Sequence, residues 1–292
     1  MTTTQIRHPL NRLLLTGAAG GLGKVLRERL KPFARHIRLS DIANMAPAID
    51  ESEEVVPCDL SDKQAVHQLV EGVDAILHFG GVSVERPFEE ILGANISGVF
   101  HIYEAARKHG VKRVIFASSN HVIGFYKQDQ TLDALSPRRP DGYYGLSKSY
   151  GEDVASFYFD RYGIETVSIR IGSSFAEPQN RRMMSTWLSF DDLTQLIECS
   201  LYTRKSATPW STACPPTATS GGTTARPHTW VTSPRTPRKF SAPRSKRSRC
   251  RPPMTRPWFI RAAPLWRPAH STTDSLFFMG YARTKESPCK PN

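Results

Sequence analysis

Through the first two hundred residues, short apolar runs take turns with longer stretches of mixed character. The runs at about 13–15, 36–41, 54–60, 74–81, 113–119 and 164–170 read as buried strands. Between them, at about 24–30, 63–70, 87–109, 143–162 and 190–201, apolar residues recur at helical spacing, which reads as amphipathic helix. Such alternation predicts an α/β fold, a Rossmann-type doubly wound parallel sheet with right-handed crossovers. Residues 172–182, with Pro178 and Asn180, read as irregular.

One turn organises this pattern. The strand at 13–15 runs into Thr16-Gly17-Ala18-Ala19-Gly20-Gly21-Leu22-Gly23 and then directly into a helix. Gly17 can adopt a sharp turn, Gly20 admits a pyrophosphate against bare backbone, and Gly23 lets the helix approach the strand. With Gly21 and Leu22 they open a helix whose free N–H groups and dipole favour phosphate. Asp41 closes the second strand 18 residues beyond Gly23, where a carboxylate meets the ribose hydroxyls of a dinucleotide. Neither Ile42 nor Ala43 supplies a cation for a 2′-phosphate, so the cofactor expected is NAD rather than NADP. Asp59 and Leu60 end the third strand, within reach of adenine. Phe79, Gly80 and Gly81 form a second glycine turn at the end of the fourth, where backbone passes close to a cofactor.

Composition splits the chain in two. The 292 residues carry a formal charge of +12, which taken whole suggests nucleic-acid binding. Residues 1–204 hold 23 Lys and Arg against 25 Asp and Glu, a net of −2, whereas 205–292 hold 16 against 2, a net of +14. Of 22 prolines, 14 follow residue 204, and regular periodicity stops there. The predicted organisation is a catalytic domain over 1–204, with 171–204 serving the substrate, and a basic, Pro-rich, irregular tail over 205–292. A tail of this composition buries too little apolar surface to offset its chain entropy. The N-terminus has no signal-peptide core, and no run reaches the ~18 apolar residues of a membrane span. Five cysteines without metal-ligand or disulfide spacing suit a reducing cytoplasm, and no metal site is expected.

Tyr144 and Lys148 carry the candidate chemistry. Four apart on a helix, they share a face. An ammonium beside a phenol favours phenolate, so Lys148 is expected to lower the Tyr144 pKa and make it a base for an alcohol. Ser118 or Ser119, at the end of the fifth strand, can hydrogen-bond the same oxygen. A Tyr-x-x-x-Lys pair by itself is as well explained as a solvated pair, and the order of turn, serine strand end and pair is what favours chemistry here.

Together these residues resemble the extended short-chain dehydrogenase/reductase family over about residues 11–204. The stretches 116–121, 140–148, 170–173 and 182–187 further resemble the members of that family that oxidise hexuronates with NAD at the anomeric hydroxyl, giving an aldarolactone. The resemblance implies Tyr144 as general base, Lys148 as its modulator and ribose anchor, and Ser119 as a guide for the sugar oxygen. It also implies that Ser83, Asn120, His121 and Ser173 hold sugar hydroxyls and carboxylate, and that Arg182 forks the carboxylate. On residues alone, His121 is as well a packed or capping histidine, and Arg181 and Arg182 a solvated pair.

The expected partners are a small uronate substrate and NAD; a homo-oligomer is compatible with the sequence, and neither nucleic acid nor membrane is expected. A sugar-nucleotide epimerase or dehydratase shares every motif to Lys148, but the segment from 171 to 204 leaves little room for a nucleotide. A non-catalytic NAD-binding protein of this fold typically lacks the Tyr/Lys pair. The basic tail offers a nucleic-acid reading that depends wholly on residues after 204. Against it stands the genetic code: shifting the frame by one nucleotide lets 210–224 read V-V-Y-G-M-S-A-N-R-D-I-W-W-D-N and 258–266 read M-V-Y-Q-G-G-A-F-V. Both resemble the C-terminal part of the uronate-oxidising members. The tail from Lys205 is therefore expected to be a frameshift product.

Overall fold

In the first strand Leu13 and Leu15 point to one side and Leu14 to the other, and all three are fully buried. A strand apolar on both faces belongs at the centre of a covered parallel sheet. The structure is a computed structural model, and it describes residues 9–127, 129–202 and 211–213, all within the unit Met1–Phe240. The chain builds β1 (Leu10–Thr16), α1 (Gly21–Arg29), β2 (Ala34–Ser40), β3 (Glu53–Val55), α2 (Lys63–Leu69) and β4 (Ala75–His78). Next come α3 (Phe88–Ile91), α4 (Gly98–His109), β5 (Arg113–Ser119), α5 (Tyr143–Tyr162), β6 (Glu165–Ile171), α6 (Arg181–Thr186), α7 (Phe190–Tyr202) and β7 (Ser211–Ala213). Every strand pair is parallel, in the order β3-β2-β1-β4-β5-β6-β7. The order reverses between β1 and β4, and doubly wound sheets bind ligands at that point, beyond the strand ends.

Two apolar layers hold the sheet. Leu13, Leu15, Leu39, Leu77 and Ile115 pack with Leu26 of α1 and with Leu193 and Ile197 of α7. Leu14, Ile76, Val114 and Phe116 pack on the other face with Val66, Ile102, Tyr103 and Tyr158. Helix α5 is the close-packed element: a Cβ at Gly151 would lie 2.4 Å from the Phe116 ring, so α5 rests flush on β5. Asp62 caps α2 through the N–H groups of Gln64 and Ala65, at 2.8 and 3.1 Å.

Three expectations are corrected. The helix expected at 87–109 is interrupted by a π-helical stretch, Leu92–Ser97. There the Asn95 side chain leaves the helix surface to accept from Val82 N at 2.7 Å and donate to Val82 O at 2.9 Å. The strand expected at 54–60 shortens to Glu53–Val55; beyond it Val56 and Cys58 still donate to the Leu39 and Asp41 carbonyls at 2.9 and 3.1 Å, and Pro57 between them sits on the free edge of the sheet, where no N–H is needed. Within the tail, expected to be mostly irregular, Ser211–Ala213 form a short strand on β6, whose outer edge otherwise has no partner among the described residues. A short helix, α6, also occupies part of the segment read as irregular. The rest of the tail lies outside the described residues. Among the described residues no helix is long and apolar enough to cross a membrane.

The glycine turn makes a graded prediction. A Cβ at Gly23 would stand 2.0 Å from the Gly17 carbonyl oxygen, whereas one at Gly21 meets nothing within 4 Å. Gly23→Ala should therefore cost about 2 kcal/mol and lower the melting temperature by several degrees. Gly21→Ala should leave it unchanged or slightly higher. Equal melting curves for the two variants would contradict the close helix–strand approach.

Candidate active site

A cavity of about 720 Å³ opens beyond the ends of β1, β2, β4 and β5. At its floor Gly17 has φ +76°, and a Cβ there would lie 2.6 Å from the Phe79 carbonyl group. The two glycine turns therefore touch backbone to backbone. Helix α1 begins at Gly21 with no side-chain cap on its first N–H groups, which open into the cavity with Leu22 and Gly23. Asp41 braces this loop, accepting from Ala19 N and from Ala43 N at 3.0 Å each. The cleared backbone, the uncapped helix start and the carboxylate fit the diphosphate and ribose of a dinucleotide. Every residue named for the cofactor lines this cavity: Gly17, Gly20, Gly21, Leu22, Gly23, Asp41, Asp59, Leu60, Phe79, Gly80, Gly81, Tyr144 and Lys148.

The reacting end joins β5 to α5. Tyr144, 9% exposed, stands beside the Ser119 hydroxyl. Ser119 Oγ also accepts from His121 N at 3.2 Å and donates to Asn120 Oδ1 at 3.3 Å. Lys148 Nζ stands 5.1 Å from the Phe116 ring centre and 5.7 Å from that of Tyr144. Burial holds the Lys148 pKa down, to about 8. The Tyr144 phenol, expected to be lowered by Lys148, is instead raised by burial, and only the neighbouring Ser119 opposes the rise. The physical reason is placement: the ammonium lies over the faces of the two rings and is itself discouraged from charging.

Ser83, Ser119 and His121 also line the cavity; Asn120, Ser173 and Arg182 do not. Asn120 turns its side chain back on Ser119. Ser173 is 6% exposed and braces the 186–188 segment: its N–H donates to Thr186 O at 3.0 Å and its carbonyl accepts from Leu188 N at 2.9 Å. Arg182 is exposed on α6, with no ion-pair partner among the described residues.

Several supporting groups escaped the sequence reading. Glu152, one turn after Lys148, is 1% exposed; it accepts from Ser118 Oγ at 2.7 Å and takes a fork from Arg170 at 2.9 and 2.7 Å. Glu85 caps α5, accepting from the N–H groups of Tyr143 and Tyr144 at 2.8 and 3.0 Å. Asn95 donates to Ser147 Oγ at 3.0 Å. Glu152 falls at helical spacing from Tyr144 and Lys148, a signal that could have found it; Glu85 lies 58 residues from its partner, and no local signal marks it.

With this geometry in place, the comparisons identify the class. A family model for the NAD dependent epimerase/dehydratase family matches residues 13–198, and the chain belongs to that family. It is similar to a uronate dehydrogenase of Pseudomonas syringae pv. tomato, 83% identical over 201 residues, covering 69% of this chain and 72% of that protein. A uronate dehydrogenase of Pseudomonas putida is 76% identical over 203 residues, covering 70% and 74%. The crystal structure of a variant uronate dehydrogenase from Agrobacterium tumefaciens complexed with NAD superimposes with a TM-score of 0.68 at 50% identity, covering 70% and 77%.

Lys148 has a thermodynamic consequence. Its folded pKa of about 8 lies below the ordinary value of 10.5, so between those values the unfolded chain binds the extra proton. The cost to stability is full below pH 8 and fades as pH rises toward 10.5. Lys148→Met should raise the melting temperature at neutral pH by about a few degrees, with a smaller gain at about pH 10. A lower melting temperature at neutral pH would contradict the burial cost.

Proposed function

We propose that this chain oxidises the C1 hydroxyl of a free hexuronate, galacturonate or glucuronate, to the aldarolactone, as a cytoplasmic NAD-dependent dehydrogenase. The observation that carries the reading is the gathering of Tyr144, Ser119 and Lys148 in the cavity that holds the glycine turns, in a chain 83% identical to a protein named uronate dehydrogenase. NAD, when bound, supplies the acceptor for the C1 hydride. Tyr144, beside Ser119, takes the hydroxyl proton as the C1–O bond gains double-bond character. Ser119 holds that oxygen, and Lys148 stabilises the phenolate and holds the ribose. Ser83 and His121 reach the sugar from the cavity wall, with Asn120 and Ser173 supporting that wall. A carboxylate clamp by Arg182 requires α6 to close on the cavity, and Arg suits that role by its planar fork.

A sugar-nucleotide epimerase is the rival of the same family. Between β6 and residue 202 the described chain provides α6, α7 and the bridge between Ser173 and Trp187, which is little substance for a nucleotide site. The test is NADH formation with free uronate, set against conversion of UDP-sugars to an epimer or a dehydrated product, which releases no NADH. Uronate should turn over with NAD, and Tyr144→Phe should lower turnover by about two to four orders of magnitude while NAD binding survives. Turnover of UDP-sugars only, or near-normal turnover in Tyr144→Phe, would overturn the reading.

We further infer that residues 1–204 are the catalytic domain and that the chain from Lys205 is read in a shifted frame. The family match ending at residue 198, the charge break and the position of β7 support this, since Ser211–Ala213 occupy the V-Y-G of the shifted reading. Resequencing the locus checks it. A frame change near codon 205 is expected; an unbroken frame would make the tail genuine.

A further inference from the structure

Asp141 stands just before α5, and its carboxylate faces His121 Nδ1 with both oxygens, at 2.9 and 3.0 Å. An ionised carboxylate only accepts, so the proton of that contact sits on Nδ1. The other ring nitrogen, Nε2, has no hydrogen-bond partner among the described residues. His121 lines the cavity, its ring set edge-on to that of Tyr144 with centroids 5.6 Å apart. Two glycines make room for this pair. Gly124 has φ −67°, open to any residue, yet a Cβ there would stand 2.0 Å from Asp141 Oδ2. At Gly145, inside a regular helix, a Cβ would lie 2.5 Å from the His121 carbonyl oxygen and 3.2 Å from Asp141 Oδ1. Neither glycine serves the local backbone; both serve the contact. Backbone bonds from Arg139 N to Val122 O at 2.8 Å and from Phe125 N to Arg139 O at 3.1 Å tie the two segments together.

We infer that Asp141 is a positioning residue that locks His121 as the Nδ1–H tautomer, so that a bare Nε2 accepts a hydrogen bond from one hydroxyl of the sugar acid. The inference rests on the uronate reading above. A bare ring nitrogen offers nothing to a carboxylate, so His121 selects for a correctly placed hydroxyl and leaves the acid group to a cation. Asp141 thereby sets substrate recognition without touching substrate, as partners of an orienting histidine do elsewhere.

The test combines spectroscopy with kinetics on the full-length chain. Nitrogen-15 spectra at about pH 8, where an ordinary imidazole is neutral, should show His121 as Nδ1–H in the parent protein and as Nε2–H, the form an unheld imidazole favours, in Asp141→Ala. The variant should raise KM for uronate about tenfold, the worth of one hydrogen bond, and leave Kd for NAD unchanged. In a His121→Ala background, Asp141→Ala should add nothing to KM, because it acts through His121. Gly124→Ala, which pushes the carboxylate aside without removing it, should move the tautomer and KM the same way and serves if Asp141→Ala does not fold. An Nε2–H tautomer in the parent, an unchanged KM, or an added loss in the His121→Ala background would each overturn the inference. Absence of uronate turnover in the parent would overturn the substrate reading, while the spectra would still decide whether Asp141 holds His121.

Discussion

Glu152 is the point on which the active-site geometry depends. Its carboxylate, 1% exposed, joins three elements: it lies on α5 with Tyr144 and Lys148, accepts from Ser118 at the end of β5, and is forked by Arg170 of β6. Arg138, in the loop before α5, adds a fourth link at 3.6 Å. Removing one partner from a buried pair leaves an uncompensated charge, at about 3–5 kcal/mol, so the arrangement resists partial dismantling. One small residue of α5 follows from the same constraint. Gly151, where a Cβ would meet the Phe116 ring, lets the helix lie close enough on β5 for its polar groups to meet the strand end.

Around that anchor the first turn of α5 is held by carboxylates from elsewhere in the chain. Glu85 satisfies its leading N–H groups, and Asp141 ties the preceding loop to His121. The loop that carries Ser83, the strand end that carries Ser119 and the helix that carries Tyr144 are thereby set relative to one another. Burial raises Tyr144 and lowers Lys148 to about 8, so in the isolated protein neither group is poised by the other.

The parts legible in the sequence were those whose cause is local. Leu13, Leu14 and Leu15 announce a strand buried on both faces, and Gly17 and Gly23 announce a close helix–strand approach, because each requirement is met within a few residues. Tyr144 and Lys148 could be paired because helical spacing puts them on one face. Glu85, Asp141 and Asn95 were not legible: their meaning lies in partners 13 to 59 residues away. The π-helical stretch escaped for the same reason, since Asn95 departs from helix geometry to reach Val82. Asn120, Ser173 and Arg182, named through resemblance, stand outside the cavity lining, two of them occupied with bracing backbone or neighbours.

The most direct measurement is transfer of the C1 hydrogen itself. Galacturonate and glucuronate deuterated at C1, incubated with the protein and NAD, should give deuterated NADH and the aldarolactone in equal amounts, with C1-deuterated UDP-sugars giving neither. Deuterium retained on the sugar, or NADH formed without label from C1, would contradict C1 oxidation at the site built by Tyr144, Ser119 and Lys148.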